Sequence, residues 1–325
     1  MSISTDASPA VRVGLSAVVL AVTEGMPRIL CVPRPSGAEA PGRRAPGPGP
    51  GATLWALPSG PLDVVADATL ELGLRRLVRE QTGLGLGYVE QLYTFGDRGR
   101  DPDRMRRGVR DLSVAYLALT REVDGEGTSW QDAYSFLPWE DWRRGCPPVV
   151  AEAIQPAVRA WVAAASGAAL RGRRERAEVT FGLGGAAWDG ERVLERYELL
   201  YEIGLLAEKR EGEAPGGLGA PMALDHRRIL ATALGRVRGK IKYRPVVFEL
   251  VPDRFTLLAL QHVVEALAGI RLHKGNFRRL VDRGGLVEGT GARDPGTGGR
   301  PAELFRFRRD VLRERRAPGV GLPGA

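Results

Sequence analysis

Residues 255–307 constrain this chain more than any other stretch, because they read as helix, turn, helix and two-stranded wing in immediate succession. Thr256 is a strong helix N-cap, and Phe255 and Leu260 sit where a hydrophobic staple across the first turn needs them. Leu260, Val263, Val264 and Leu267 recur at helical spacing and predict the buried stripe, and Gly269 suits the left-handed residue that stops the helix. After a short turn at residues 270–272, Phe277, Leu280 and Val281 form a second apolar face. Lys274, Arg278 and Arg279 lie off that face, with Asn276 near its boundary. An apolar back, long cationic donors in front and an amide able to pair two-pronged with adenine are what a major-groove helix requires. A stop at Gly284-Gly285 then leads to two strands, at 286–288 and 302–307, around a glycine-rich tip with Arg300 placed to meet phosphate or the minor groove. The plainer reading is a helical hairpin with a solvated basic face.

Charge distribution weighs against that plainer reading. Residues 224–316 hold 21 Lys and Arg against 10 Asp and Glu, a surplus of eleven positive charges. The rest of the chain holds 26 basic against 29 acidic residues, so the whole-chain charge of +8 originates in the C-terminal region. Such polarity predicts a C-terminal module for a polyanion, joined to an N-terminal module with another task.

With 325 residues, 43% of them hydrophobic, the chain has enough apolar material for two modest cores, so two domains are expected. Cys31 and Cys146 stand far apart without a CxxC spacing, which supports neither a disulfide framework nor a zinc site; both are expected to be small buried side chains. His226 and His273 lack ligand-type neighbours at metal-site spacing, so no metal is assigned to them. No apolar run approaches a membrane span and the first residues lack a signal-peptide pattern, so a cytoplasmic protein without membrane contact is expected.

In the N-terminal half, residues 11–22 and 29–32 predict a strand pair turning at Glu24-Gly25. Residues 35–52, rich in Pro and Gly, predict a flexible loop. A short strand at 54–57 runs into a turn, a helix spans 68–81 and stops at Gly83, and strands follow at 88–95 and 110–120. Residues 149–165 form an amphipathic helix with Ile154, Val158, Trp161 and Val162 inward. In residues 166–219 a helical stripe of Val193, Leu194, Tyr197, Leu200, Tyr201 and Leu205 suits a small adaptor, a dimer surface or an embellishment of the sheet domain.

Within this frame WALPSG followed by RRLVREQTGL resembles the Nudix box. Arg76, Glu80 and Gly83 fall on its pattern, whereas Leu77 and Gln81 stand where that family carries Glu, Ala68 replaces an earlier Glu, and the spacing after Gly60 is longer. Carboxylates at i, i+3 and i+4 on one helix face are what holds magnesium against a pyrophosphate, and one carboxylate cannot make that cluster. A structural ion pair is the other reading of Arg76 and Glu80. The run EQLYTFGDRGRDP followed by LSVAYLAL resembles ADP-ribose-type Nudix proteins and, more closely, the Nudix-related transcriptional regulators of NAD metabolism. That resemblance is carried further by the basic helix over 226–243, the KIKY exit, the run RPVVFELVPDRFTLLALQ, the KGNFRR helix and the GRPAELFRF wing. It covers about three quarters of the chain and leaves out the Pro/Gly loop and the bridge. It implies a ligand cleft bordered by Trp55, Arg76, Glu80, Phe95, Asp97, Arg100 and Asp101; read alone, residues 96–108 are a polar turn between strands.

The expected fold is α+β: an N-terminal Nudix-like α/β/α sandwich with a mixed sheet (10–165), a bridging segment (166–223) and a C-terminal winged helix-turn-helix (224–316). The expected function is that of a transcriptional regulator, a repressor, whose degenerate Nudix domain senses ADP-ribose or a related nucleotide and needs no cofactor. By resemblance a homodimer binds a palindromic double-stranded operator through Lys274, Asn276, Arg278 and Arg279, with Arg300 on the wing and Lys240 and Lys242 on the DNA backbone. The alternative is an active Nudix pyrophosphohydrolase on ADP-ribose-like substrates, with Mg held by Glu80 and carboxylates such as Asp97 or Asp101, and the basic module as an accessory nucleic-acid grip.

Overall fold

The computed structural model describes residues 10–34, 54–98, 100–101, 105, 108–123, 129–208, 218–294 and 301–321. Strand β1 (Ala10–Thr23) organises a seven-stranded mixed sheet with β2 (Met26–Arg34), β3 (Leu54–Ala56), β4 (Ser59–Pro61), β5 (Tyr88–Phe95), β6 (Val109–Leu119) and β7 (Ser129–Asp132). β1 runs parallel to β6 from the Ala10/Val109 pair to Leu20/Leu119. Its other edge is shared, antiparallel, by β4 opposite residues 14–16 and by β2 opposite residues 20–23. β2 also takes β3 and β7, and β5 closes the far edge on β6. The β1–β2 hairpin turns at Glu24 and Gly25, both at positive φ (51° and 72°), the conformation a tight two-residue hairpin demands.

Because side chains alternate along a strand, β1 feeds two different cores. Leu15, Ala17, Val19 and Ala21 face helix α1 (Leu70–Thr82) through its Leu74, Leu77 and Val78. Val18 and Leu20 face the opposite way, into a second core of buried residues. That core continues without a break through α2 (Ala133–Phe136), α3 (Gln155–Ala163), α4 (Gly167–Phe181), α5 (Val193–Glu202) and α6 (His226–Tyr243), and on to α7 (Leu257–Ala268) and α8 (Lys274–Gly284). The division therefore falls between the two faces of the sheet, not between an N-terminal and a C-terminal domain core. The reason is direct contact: α7 lies on β1 and β2, and α6 lies on β1, β5 and β6. A small antiparallel sheet of β8 (Val287–Asp294) and β9 (Ala302–Phe307) and the short α9 (Val311–Glu314) complete the chain.

One fully buried carboxylate fastens these layers. Glu140, 1% exposed, accepts from Arg196 of α5 (Nε to Oε1 2.6 Å, Nη2 to Oε2 3.0 Å) and from Arg238 of α6 (Nη1 to Oε2 2.5 Å). Arg238 also donates to the Leu267 carbonyl (3.0 Å), and the Tyr134 hydroxyl donates to the Ala266 carbonyl (2.6 Å), so the same cluster grips the C-terminal end of α7. The Arg196 guanidinium lies 3.9 Å from the centroid of the Trp188 ring. Burial by itself would raise the Glu140 pKa, but Arg196 and Arg238 overcome it and hold the carboxyl below its ordinary value.

Three local expectations are corrected. The helix predicted over 149–165 begins as a π turn, Val150–Ile154, before α3, since Pro156 has no amide to donate into a regular first turn. Cys31 is buried as expected, but Cys146 is exposed, in the loop ahead of that turn. Leu205 lies beyond the end of α5, and Leu199, fully buried, joins Val193, Tyr197 and Leu200 in the stripe instead.

Candidate nucleic-acid interface and sensor cleft

The helix-turn-helix forms as its sequence dictates. The Thr256 hydroxyl accepts from the Ala259 amide (3.1 Å), Gly269 caps α7 at φ 71°, and Leu260, Val264 and Leu267 are fully buried. Gly269 leaves no room for a side chain: a Cβ there would stand 2.6 Å from Arg238 Nη2. The turn to α8 is held by Glu265, whose carboxylate accepts from the Leu272 amide (2.9 Å) and from Gln261 Nε2 (2.8 Å). α8 docks through Phe277 and Val281, with Leu280 partly covered, and its outer side exposes Lys274, Asn276, Arg278 and Arg279. Arg279 donates to the Asn276 side-chain oxygen. Among the described residues neither Lys274 nor Arg278 has an ion-pair partner, so both cations are free for a polyanion. The wing is anchored by Phe305, which exchanges backbone hydrogen bonds with Phe255 (3.0 and 2.8 Å). Arg300, proposed for the wing tip, lies outside the described residues.

On the sheet side, α1 is capped by Thr69 and Gly83, and its outward face is filled by structural contacts. Arg76 grips Asp67 with two prongs, Nε to Oδ1 and Nη2 to Oδ2, each at 2.8 Å, and reaches Glu80 at 2.9 Å. This pairing holds the Asp67 carboxyl down at about 2. At the two positions where the Nudix pattern has Glu, Leu77 is buried against Gly60, and Gln81 clamps β4 by accepting from the Ser59 amide (3.1 Å) and donating to the Ser59 carbonyl (2.8 Å). Arg76 thus makes the helix-to-loop ion pair with Asp67, Glu80 pairs with it within α1, and no group of three His, Cys, Asp or Glu able to hold a metal occurs among the described residues. Of the carboxylates named for the hydrolase alternative, Glu80 is engaged by Arg76 and Asp97 by Arg228 of α6.

Of the other cleft residues, Trp55, Phe95, Asp97 and Arg100 meet at the start of α6, whereas Asp101 is placed only by a local backbone bond. The Trp55 carbonyl accepts from the Ala223 amide (2.9 Å), and Phe95, buried in the core, carries the Arg228 guanidinium 5.6 Å from its ring centroid. Asp97 pairs with Arg228, which also holds Glu198 of α5 (2.5 Å). Arg100, only 8% exposed, bridges Asp111 of β6 and Asp225, both at 2.8 Å, and the Asp101 carbonyl accepts from the Met105 amide. Asp225, His226, Arg227 and Arg228 therefore all bind elements outside their own helix, a role the sequence reading missed. The DHRR run was visible, but nothing local shows that its charges are paired inside the molecule. The His226 Nδ1 accepts from the Leu57 amide (3.0 Å); burial, then the nearby Arg100 and Arg34, push its pKa down to about 3. Burial raises the Asp225 carboxyl, with Arg100 opposing.

Lys240 and Lys242, expected on the DNA backbone, are each paired with a carboxylate. Lys240 donates to the Tyr88 hydroxyl (2.8 Å) and pairs with Glu90, both on β5, while Arg236 stands 3.6 Å from Glu90. Lys242 pairs with Glu191 at 2.6 Å. A helix wedged between the sheet and the winged helix has these carboxylates within reach, and they take up its cations.

A mixed sheet with helix α1 on one face and a winged helix-turn-helix on the other defines a two-module α+β architecture. Residues 247–307 match the family model of the NrtR DNA-binding winged helix domain. The crystal structure of NrtR from Shewanella oneidensis complexed with a 27mer DNA matches over 93% of this chain and 95% of its own, with TM-score 0.54 and 22% identity. A second crystal structure of Shewanella oneidensis NrtR matches over 92% and 95%, with TM-score 0.52 and 22% identity. In sequence, the ADPR responsive transcriptional repressor NtrR of Acinetobacter baylyi is 25% identical over 258 residues, which are 79% of this chain and 71% of the relative.

Proposed function

We propose that the protein is a DNA-binding transcriptional repressor whose Nudix-fold domain senses ADP-ribose or a closely related nucleotide without hydrolysing it. The observation that carries this reading is α8: an apolar back of Phe277 and Val281 docked on α7, and a solvent face of Lys274, Asn276, Arg278 and Arg279, inside a segment matching the NrtR winged helix model. The DNA complex of the Shewanella relative and the printed role of the Acinetobacter relative support it. A homodimer placing two α8 helices in successive major grooves of a palindromic operator, in the cytoplasm, completes the proposal. No helix among the described residues is long and apolar enough to cross a membrane. The effector cleft is assigned to Trp55, Phe95, Asp97, Arg100 and Asp101, with Arg76 and Glu80 shaping α1 beside it. Lys274, Asn276, Arg278 and Arg279 are assigned to DNA, Arg300 is assigned to the wing tip, and residues 166–223 are assigned to fastening the two modules through Arg196.

The test is titration of the full chain onto DNA from its own upstream region at two salt concentrations. The expected result is tight binding to one sequence that survives moderate salt. Binding that is weak, indifferent to sequence and steeply salt-dependent would reduce α8 to a basic patch and refute the repressor reading.

A further inference from the structure

Phe95, Asp97 and Arg100, assigned to the effector cleft, also hold the start of α6. Arg100 is nine-tenths buried and is shared by two carboxylates, Asp111 on the sheet and Asp225 at the head of α6. One guanidinium serves both carboxylates, and the second oxygen of Asp225, Oδ1, is buried without a hydrogen-bond partner. The next residue repeats the pattern: His226 is 1% exposed, its Nδ1 is satisfied by the Leu57 amide, and its Nε2 is buried without a partner. One turn further, Arg228 is held by Asp97 at the end of β5 and by Glu198. Buried polar atoms are normally satisfied, and with Nδ1 accepting, the orphaned His226 Nε2 carries a proton that an incoming anion can accept.

We propose that the first turn of α6 reads the occupancy of the cleft by ion-pair exchange: the diphosphate of the bound nucleotide takes Arg100 from Asp225 and Arg228 from Asp97. This rests on the assignment of a nucleotide diphosphate to the cleft. A diphosphate brings more negative charge than either carboxylate and accepts two-pronged bonds from a guanidinium, so it competes for Arg100 on favourable terms. Losing Arg100 frees Asp225, and losing Asp97 frees one side of Arg228, so the head of α6 loosens from the sheet. α6 is also gripped by Glu140 and packs against α7, so its displacement is passed to the helix pair that carries α8. A cation that cannot serve both partners makes ligand binding and α6 docking mutually antagonistic.

Asp225 is then a positioning residue with a signature that a merely structural role lacks. In Asp225→Asn the competing charge is gone and Arg100 is released to the ligand. Calorimetric titration of the full-length protein with ADP-ribose is expected to show roughly tenfold tighter binding in this variant, within the usual range of coupling between sites. The effect of ADP-ribose on DNA affinity is expected to shrink in the same variant. Asp97→Asn, at a carboxylate 69% exposed and therefore safe for folding, is expected to shift ADP-ribose affinity in the same direction by a smaller factor, and it carries the test alone if Asp225→Asn does not fold. Unchanged or weaker ADP-ribose binding in a folded variant, with the wild type binding normally, would overturn the exchange alone. A wild-type chain that binds no ADP-ribose would overturn the effector assignment, and the exchange with it.

Discussion

Replacing Glu140 by Gln tests the claim that one buried charge cluster fastens the sheet, the bridge and the helix-turn-helix together. Glutamine keeps the size of the side chain but removes the negative charge shared by Arg196 and Arg238, whose side chains are 0% and 3% exposed. It also turns an amide NH2 toward a guanidinium that needs an acceptor. Breaking a buried pair by removing one partner costs about 3–5 kcal/mol, because the remaining charge stays buried without compensation. At roughly 2 °C per kcal/mol for a chain of this size, the expected drop in Tm is about 6–10 °C. Glu288→Gln serves as the comparison: its pair with Arg306 (2.7 Å) is 42% and 63% exposed, and a surface pair contributes about 1 kcal/mol or less. The pH dependence has a definite sign. A carboxyl held below its ordinary value contributes fully above the unfolded pKa, about 4.3 for Glu, and that contribution is lost as pH falls through the lower folded value. Thermal unfolding of both variants between pH 3 and pH 7 is the assay, and Glu140→Gln is expected to flatten the acid limb. A Glu140→Gln protein within about 1 kcal/mol of Glu288→Gln would refute the clamp.

Three other perturbations follow from the same geometry. Arg278→Ala, on the exposed face of α8, is expected to weaken operator binding by about 1–3 kcal/mol if it reads a base, relaxing selectivity at one position; competition binding against single-base operator variants checks this. His226, buried and neutral with its pKa near 3, is expected to show no imidazole titration by NMR above pH 4; since the unfolded chain takes up that proton near 6.5, its contribution to stability is full above that value and is lost as pH falls toward 3. Gly269→Ala combines a left-handed backbone at φ 71° with a methyl group driven into Arg238, and is expected to lower stability by at least about 1–2 kcal/mol in urea unfolding.

The helix-turn-helix was legible because its signals are local. Thr256, the stripe from Leu260 to Leu267, and Gly269 specify α7 within a dozen residues, and Phe277 and Val281 fix which side of α8 faces out. The hairpin at Glu24-Gly25 and the stop at Gly83 were readable for the same reason, since each needs only a cap or a positive φ. What escaped is non-local. Glu140 finds Arg196 56 residues later and Arg238 98 residues later, and no spacing rule links them. Strand β7 (Ser129–Asp132), four residues with one inward Trp130, has its place decided by the open edge of β2. Helix α4 carries an arginine-rich run, of which Arg173 and Arg176 fold over Trp161. Its apolar and polar residues are not sorted onto opposite faces as an amphipathic helix requires. Lys240 read as a cation on a basic helix, and only the tertiary fold brings Glu90 to it. The altered Nudix positions were visible in the sequence, but the uses of Leu77 as packing and of Gln81 as a clamp on Ser59 depend on β4 lying alongside α1.

The central claim, that one continuous core couples a nucleotide cleft to a DNA-reading helix, is tested most directly by reciprocity. ADP-ribose affinity is measured with and without saturating operator, and operator affinity with and without saturating ADP-ribose. Because coupling between two binding sites is a single free energy, the two ratios are expected to be equal, with each ligand weakening the other by a factor between about 5 and 150. Affinities that do not change in the presence of the other ligand would contradict the account.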